Sequence, residues 1–293
     1  MTIIKTLCDL LGQLGATPKA GIPMPMTPDV SFAVKEPPKG LVCPKFADRL
    51  EEAKSGSAFA ASILSMGPDK IREAAIVAEI KAGNIPDFMR HFVEMQITVG
   101  ANTIVYLVSP DYLSIGENAD FIRMPIDPIT AQKIAKDHGC TLPTRKMVNQ
   151  IWKAATVKIE PQPNGAPYDL SMQNVPAFIK NNNKIEAVRA GQALGKLVAG
   201  HKKDVIISET LLTFTNNVAI YGWFYANGKV IQNLNPKDHD DSYKDYSHGI
   251  RLVSRNVLVN GVHYDLFDIL KDPTLCNLIS DEGNYDASNL YGN

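Results

Sequence analysis

A chain of 293 residues is long enough for one large domain or two smaller ones. Hydrophobic residues at 45% and charged residues at 21% are ordinary for a globular protein. The net charge of -1 excludes a global field that would draw in nucleic acid or an anionic membrane.

The first sixteen residues space Ile3, Ile4, Leu7, Leu10, Leu11 and Leu14 as an amphipathic helix. Asp9 interrupts the run, so it makes a poor signal-peptide core. No apolar run reaches the roughly 20 residues of a bilayer span, so a soluble chain without a clear signal peptide is expected. Seven prolines between Pro18 and Pro44 make residues 17–47 an extended arm, and the domain is expected to start near residue 46.

Helices are predicted over Phe46–Leu64 and Asp69–Ala82, the second ending at Gly83-Asn84. Phe88–Val93 reads as a strand or a short helix. Thr103–Val108 is a strong strand that ends in the turn Ser109-Pro110-Asp111-Tyr112. Thr130–His138 reads as a helix stopped by Gly139, and Thr144–Ala155 as a helix begun by Pro143-Thr144. Residues 160–183 read as a long polar loop and a sub-boundary, followed by a helix over Ile185–Val198. Strands follow at Val205–Ser208, Val218–Trp223 and Ile250–Val253. Hairpin turns fall at Asn227-Gly228 and Asn260-Gly261, and a helix at Tyr264–Leu270. The pattern is α+β: early helices and a mostly antiparallel late sheet in a single domain over residues 46–293. No GxGxxG or Walker motif is present, and no cofactor is called for.

The four cysteines, Cys8, Cys43, Cys140 and Cys276, lie far apart without metal-ligand spacing, so free thiols and no metal site are expected. Asp111, Glu117, Asp120 and Arg123 read as a solvated turn in preference to a cation site. Lys202-Lys203-Asp204 and Asn181–Lys184 read as exposed loops, and His201 and His263 find no partner in the sequence.

The densest chemistry lies between His239 and Val253, where two His, three Asp, two Tyr, two Ser and an Arg run into an apolar strand. Proton transfer needs several polar groups converging on one point, so this segment is the candidate site. His248 is the candidate general base, facing a solvent-reachable hollow and oriented by Asp245 or Asp241, with Tyr246 beside it. Arg251 is expected to hold an anionic substrate group. The nucleophile is Ser247 or Cys140. Cys140 precedes a helix start, which favours the thiolate; the alternative is a buried small hydrophobe, the more common fate of a free cysteine.

Alternation along Tyr221-Gly222-Trp223-Phe224-Tyr225 puts Tyr221, Trp223 and Tyr225 on one face, either as core or, with His239 and Asp241, as a ligand surface.

Ser247-His248-Gly249, with Arg251 two residues on, resembles the Ser-His-Gly-Cys-x-Arg signature of L,D-transpeptidases, cell-wall enzymes that work through a cysteine. Ile250 stands where that cysteine belongs. Leu142-Pro143-Thr144, Trp152 and Ala154-Ala155, with Gly249-Ile250-Arg251-Leu252-Val253, are similar to segments of formylglycine-generating-enzyme-like proteins. That likeness implies a C-type-lectin-like α+β fold; Arg145 and Lys146 replace its acidic residues. The leading expectation is a hydrolase of amide or cell-wall peptide substrates. Its alternatives are a carbohydrate- or ligand-binding module and a structural or assembly protein. Expected partners are a peptide or glycan substrate and no nucleic acid, with a homo-oligomer left open.

Overall fold

A computed structural model describes residues 40–165 and 170–292. The expected N-terminal helix and most of the Pro-rich arm lie outside the described residues.

In chain order the elements are α1 (Gly56–Ser62), α2 (Lys70–Lys81), β1 (Val93–Val99), β2 (Asn102–Val108), β3 (Ser114–Glu117), β4 (Asp120–Arg123) and α3 (Pro128–Asp137). Then come β5 (Cys140–Thr141), α4 (Arg145–Ala154), β6 (Val157–Lys158), α5 (Val175–Arg189), β7 (Val198–Ala199), β8 (Lys203–Val205) and β9 (Ile220–Phe224). The chain finishes with β10 (Val230–Gln232), β11 (His248–Gly249), β12 (Val253–Ser254), β13 (Asn256–Val259), β14 (Val262–Asp265) and α6 (Leu266–Lys271). The fold is α+β with mostly antiparallel pairing.

Local chemistry sets the helix starts. Asp69 accepts hydrogen bonds from the backbone N–H of Ile71 and Arg72, Asp127 from Thr130, Thr144 from Met147 and Asp265 from Phe267. Pro128 occupies the first turn of α3, where its missing N–H has no partner to lose. The hairpin turn between β13 and β14 needs two left-handed residues; Asn260 (φ 50°) and Gly261 (φ 83°) supply them. The helix expected over Phe46–Leu64 is confined to α1, and residues 41–50 are irregular. The helix expected over Ile185–Val198 is displaced to α5, which takes in part of the expected loop.

The larger sheet runs β14-β13-β2-β12-β5, with β1 also paired along β2. The second runs β10-β9-β8-β11 and contains a parallel pair, with His248 opposite Lys203 and Gly249 opposite Asp204. β3 and β4 form a hairpin, and β6 pairs in parallel with β7.

One large apolar cluster joins the helices to both main sheets, from Phe59 and Ile76 through Tyr106 and Ile151 to Ile250 and Leu270. Each fully buried large aliphatic or aromatic side chain contributes about 1.5–3 kcal/mol. Among the described residues no helix is long and apolar enough to cross a membrane.

Candidate functional site

The strands after His201 and before Arg251 carry titratable residues directly into the core. β8 begins at Lys203 and continues into Val205-Ile206-Ile207; β11 begins at His248 and runs into Ile250. A buried strand turns side chains inward on both faces, so polar residues at its start are drawn in with it. The result is a row of buried titratable groups in the interior.

At one end Arg123 grips Asp111 with two hydrogen bonds, Nε to Oδ1 at 3.1 Å and Nη2 to Oδ2 at 2.6 Å. Its Nη1 donates to Asn182 Oδ1 at 3.1 Å and lies 2.8 Å from Glu186 Oε1. Burial opposes the Asp111 charge, but Arg123 and His201 outweigh it and hold the carboxyl well below the usual range. The His201 ring, 3.3 Å from Asp111 Oδ1, is kept neutral because burial pushes it down to about 4. Asp111 and Arg123 thus belong to an interior ion network, correcting the expectation of a solvated turn for these two; Glu117 is exposed, and half-buried Asp120 accepts from Ser57.

Next along the row, the Tyr112 hydroxyl donates to Asp204 Oδ2 at 2.9 Å, and the Arg251 guanidinium lies 4.2 Å from the Tyr112 ring centre. Arg251 is 0% exposed and donates to the carbonyls of Ser109 (3.0 Å) and Val198 (2.6 Å). Its Nε sits 3.9 Å from Asp204 Oδ1. The expectation that Arg251 holds a substrate anion is therefore corrected: its guanidinium ties the Ser109 turn to strand β7. Gly249 permits the close packing here. A Cβ at that position would lie 2.5 Å from Tyr112 Cδ1 and 2.8 Å from Lys202 Cβ.

Lys202 is buried and donates to Asn181 Oδ1 at 2.6 Å and to the Tyr246 carbonyl at 2.5 Å. Burial brings its amine down to about 7. A neutral amine has two N–H donors, matching those two acceptors. Neither Lys202 nor Asn181 lies in the exposed loop the sequence led us to expect.

The His239–Arg251 segment closes the row. Asp245 Oδ1 accepts from Ser247 N–H at 2.7 Å and Ser247 Oγ at 2.5 Å; Oδ2 accepts from the Tyr243 hydroxyl at 2.9 Å. Burial alone would raise the Asp245 carboxyl, but His248, Lys203 and the Ser247 hydrogen bonds bring it to about 2. Asp245 thus shapes the turn ahead of His248 without hydrogen-bonding its ring. The Tyr246 hydroxyl accepts from the Asn164 N–H at 3.2 Å.

The His248 ring is 1% exposed, and both nitrogens lack a hydrogen-bond partner. Burial pushes it down to about 4 against the opposing charge of Asp245. The solvent-reachable hollow expected in front of it is closed. Tyr243 meets its edge at 5.5 Å between ring centres, and His239 stacks on Tyr243 at 3.7 Å. His239 and Tyr243 are only half-buried, so this pair is the thinnest described cover. Asp241 is tied by its N–H to the Asn216 carbonyl.

Cys140 is elsewhere, on β5 opposite Ser254, with its thiol toward the His138 carbonyl at 3.6 Å. Burial pushes that thiol up, against the thiolate alternative and in line with the favoured reading of a buried small hydrophobe. The aromatic row is also corrected. Gly222 (φ 111°) and Trp223 (φ 62°) break the alternation, so Tyr221 is buried and hydrogen-bonds Asn149 while Tyr225 is 45% exposed.

A second buried group adjoins this segment. Lys244 Nζ lies 3.4 Å from Glu73 Oε1 and 3.7 Å from Asp127 Oδ2. Burial, with the Asp127 charge, lifts Glu73 to about 7. A surface cleft of about 610 Å3, lined by Lys136, Arg255, His263 and Asp268 among others, shares no residue with the buried row. Among the described residues no set of three His, Cys, Asp or Glu is placed to hold a metal ion.

Comparison with protein-family models, curated proteins and solved structures finds no match to this chain.

Proposed function

We propose that the chain is a hydrolase of amide or peptide bonds, with His248 as its general base. One observation carries the reading. Among the described residues His201 and His248 both have two buried ring nitrogens without a hydrogen-bond partner, but the His201 ring lies 3.3 Å from Asp111 Oδ1, whereas Asp245, the carboxylate beside His248, is tied to Ser247 and Tyr243 instead. Buried imidazoles without a partner are costly to keep. A ring that accepts a proton from a bound reactant is one reason to keep it.

The surrounding groups suit that role. The ring is neutral at pH 7 and free to accept a proton, and the Asp245 carboxylate nearby stabilises the imidazolium that forms. Ser247 Oγ is committed to Asp245, and the Cys140 thiol is buried apart from the row. Water is therefore the nucleophile in this scheme. It adds to the amide carbonyl as His248 takes its proton; His248 returns that proton to the leaving nitrogen as the C–N bond breaks. Tyr243 and His239 must swing aside to admit the substrate.

The test is turnover of cell-wall stem peptides and simple peptide amides by the full chain and by His248→Gln. Wild-type activity should rise with pH through about 4 and then level, and the variant should lose about 100-fold or more. A folded His248→Gln protein with wild-type turnover would remove His248 as the base.

A further inference from the structure

With Arg251 locked on backbone carbonyls, a charged substrate would have to be met by another group. Lys203 is placed to do so. It stands opposite His248 in the parallel β8/β11 pair, and paired residues of neighbouring strands point to the same face. Its backbone N–H is held by the Ser247 carbonyl at 2.8 Å, which fixes the strand beside the base. The side chain is half-buried, with its ammonium 5.1 Å from the centre of the Trp223 ring.

Among the described residues no carboxylate lies within 4.0 Å of that ammonium. The acids that influence it are Asp245 and Asp238. Both Asp245 oxygens are already occupied by Ser247 and Tyr243. Asp238 is exposed and accepts from Asn235 at 2.7 Å. Asp245 keeps its charge and acts on Lys203 through space, but no carboxylate touches the ammonium, which leaves the direct ion pair to an external anion.

Trp223 is held there at some expense. Its φ of 62° is a left-handed conformation that costs a non-glycine residue about 1–2 kcal/mol. Its N–H donates to the Lys202 carbonyl at 3.2 Å and its indole N–H to the His201 carbonyl at 3.2 Å, so the ring is fixed beside Lys203. The ammonium lies over the indole face, and a flat apolar wall beside an ammonium that no carboxylate touches is suited to an acyl or peptide group that carries a carboxylate.

We propose that Lys203 anchors a substrate carboxylate close to the bond His248 attacks, with the Trp223 ring as the wall beside it. This rests on the hydrolase reading and narrows it: the substrate class is an amide or peptide with a free carboxylate near the scissile bond.

The experiment uses the full chain labelled with 15N-histidine and 15N-lysine. The probes are N-acetyl-Ala-Ala, in its L,L and D,D forms, and the same peptides with the carboxylate converted to an amide. At least one acid form should shift the His248 and Lys203 signals and saturate, and its amide should bind at least tenfold more weakly. Lys203→Met should bind acid and amide alike, while Lys203→Arg should keep the preference. Equal binding of acid and amide to wild type, binding of neither, or an undiminished preference in a folded Lys203→Met protein each overturns the proposal. His248→Gln separates the two ideas. If it still turns substrate over while the acid preference follows Lys203, the base assignment fails and the anion anchor stands. If it loses turnover while the preference ignores Lys203, the reverse holds.

Discussion

The neutral burial of His248 makes a quantitative claim about acid. Its folded-state value near 4 lies below its ordinary 6.5. Between those values the unfolded chain binds a proton that the folded chain refuses. The stability contributed by the neutral ring is therefore fully present above pH 6.5 and is lost as pH falls toward 4. The loss is roughly 3 kcal/mol. The ring is fully buried, so solvent does not screen it. The wild-type curve alone does not reveal this loss. His201 acts in the same direction, with the same fall to about 4. Glu73, raised from 4.5 to about 7, and Asp204, raised from 3.8 to about 6, act in the opposite one. Those carboxyls hold protons in the folded state that the unfolded chain releases, so they add stability as pH falls. These opposing contributions partly cancel between pH 7 and 4, so the wild-type profile does not report on His248 by itself.

Substituting His248→Gln removes one of these groups and exposes it by difference. Urea unfolding of wild type and variant, followed by tryptophan fluorescence at pH 7, 5.5 and 4, gives the stability gap at each pH. The gap should move by roughly 3 kcal/mol in favour of the variant on going from pH 7 to pH 4. The pH-independent effect of the new amide cancels in that comparison. Below pH 4 the carboxylates of Asp111 and Asp245 begin to lose their partners and the separation is lost. A gap constant within 1 kcal/mol across the range refutes the argument, because the ring would then titrate as it does in the unfolded chain.

Two further outcomes test the buried row and its surroundings. Arg123→Met strands Asp111 in the interior and should cost about 3–5 kcal/mol by urea unfolding at pH 7; a cost below 1 kcal/mol would mean that water reaches the pair. Cys140, its thiol raised by burial, should resist a disulfide reagent in the native protein and react only after denaturation; mass mapping that finds native Cys140 labelled within minutes contradicts that placement.

Much of the architecture was legible because it rests on short-range chemistry. Asp69, Thr144 and the Asn260-Gly261 turn each act within a few residues, and each marks an element boundary in the structure. The hidden part rests on distant partners. Asn181 and Asn182 look like loop residues, yet α5 buries them because Lys202 and Arg123 approach from elsewhere and bind their side-chain oxygens. Arg251 looked available for an anion because no local feature revealed the carbonyls of Ser109 and Val198. A signal was nonetheless present at His201-Lys202-Lys203-Asp204. These four titratable residues lead into Val205-Ile206-Ile207, much as Asp245–Arg251 leads into Leu252-Val253. Polar groups at the mouth of a buried strand are carried inward, and the pairing of β8 with β11 makes the two segments neighbours.

That pairing also explains why the fold tolerates so much interior charge. Each buried ion taken alone would cost several kcal/mol, and removing a partner would expose that cost. Arg123 is met by Asp111, Arg251 by carbonyls and Asp204, and Lys244 by Glu73, while Lys202, brought down to about 7 by burial, is held by the Asn181 amide oxygen. The partners come from segments distant in the chain, so the ion network forms only when β4, β8, β11 and α5 have assembled together. A wrong register of β11 on β8 would strand several charges at once, which ties the position of His248 to the correctness of the whole core. The base assignment and the fold therefore share one geometric condition: Lys203 and His248 must sit opposite each other.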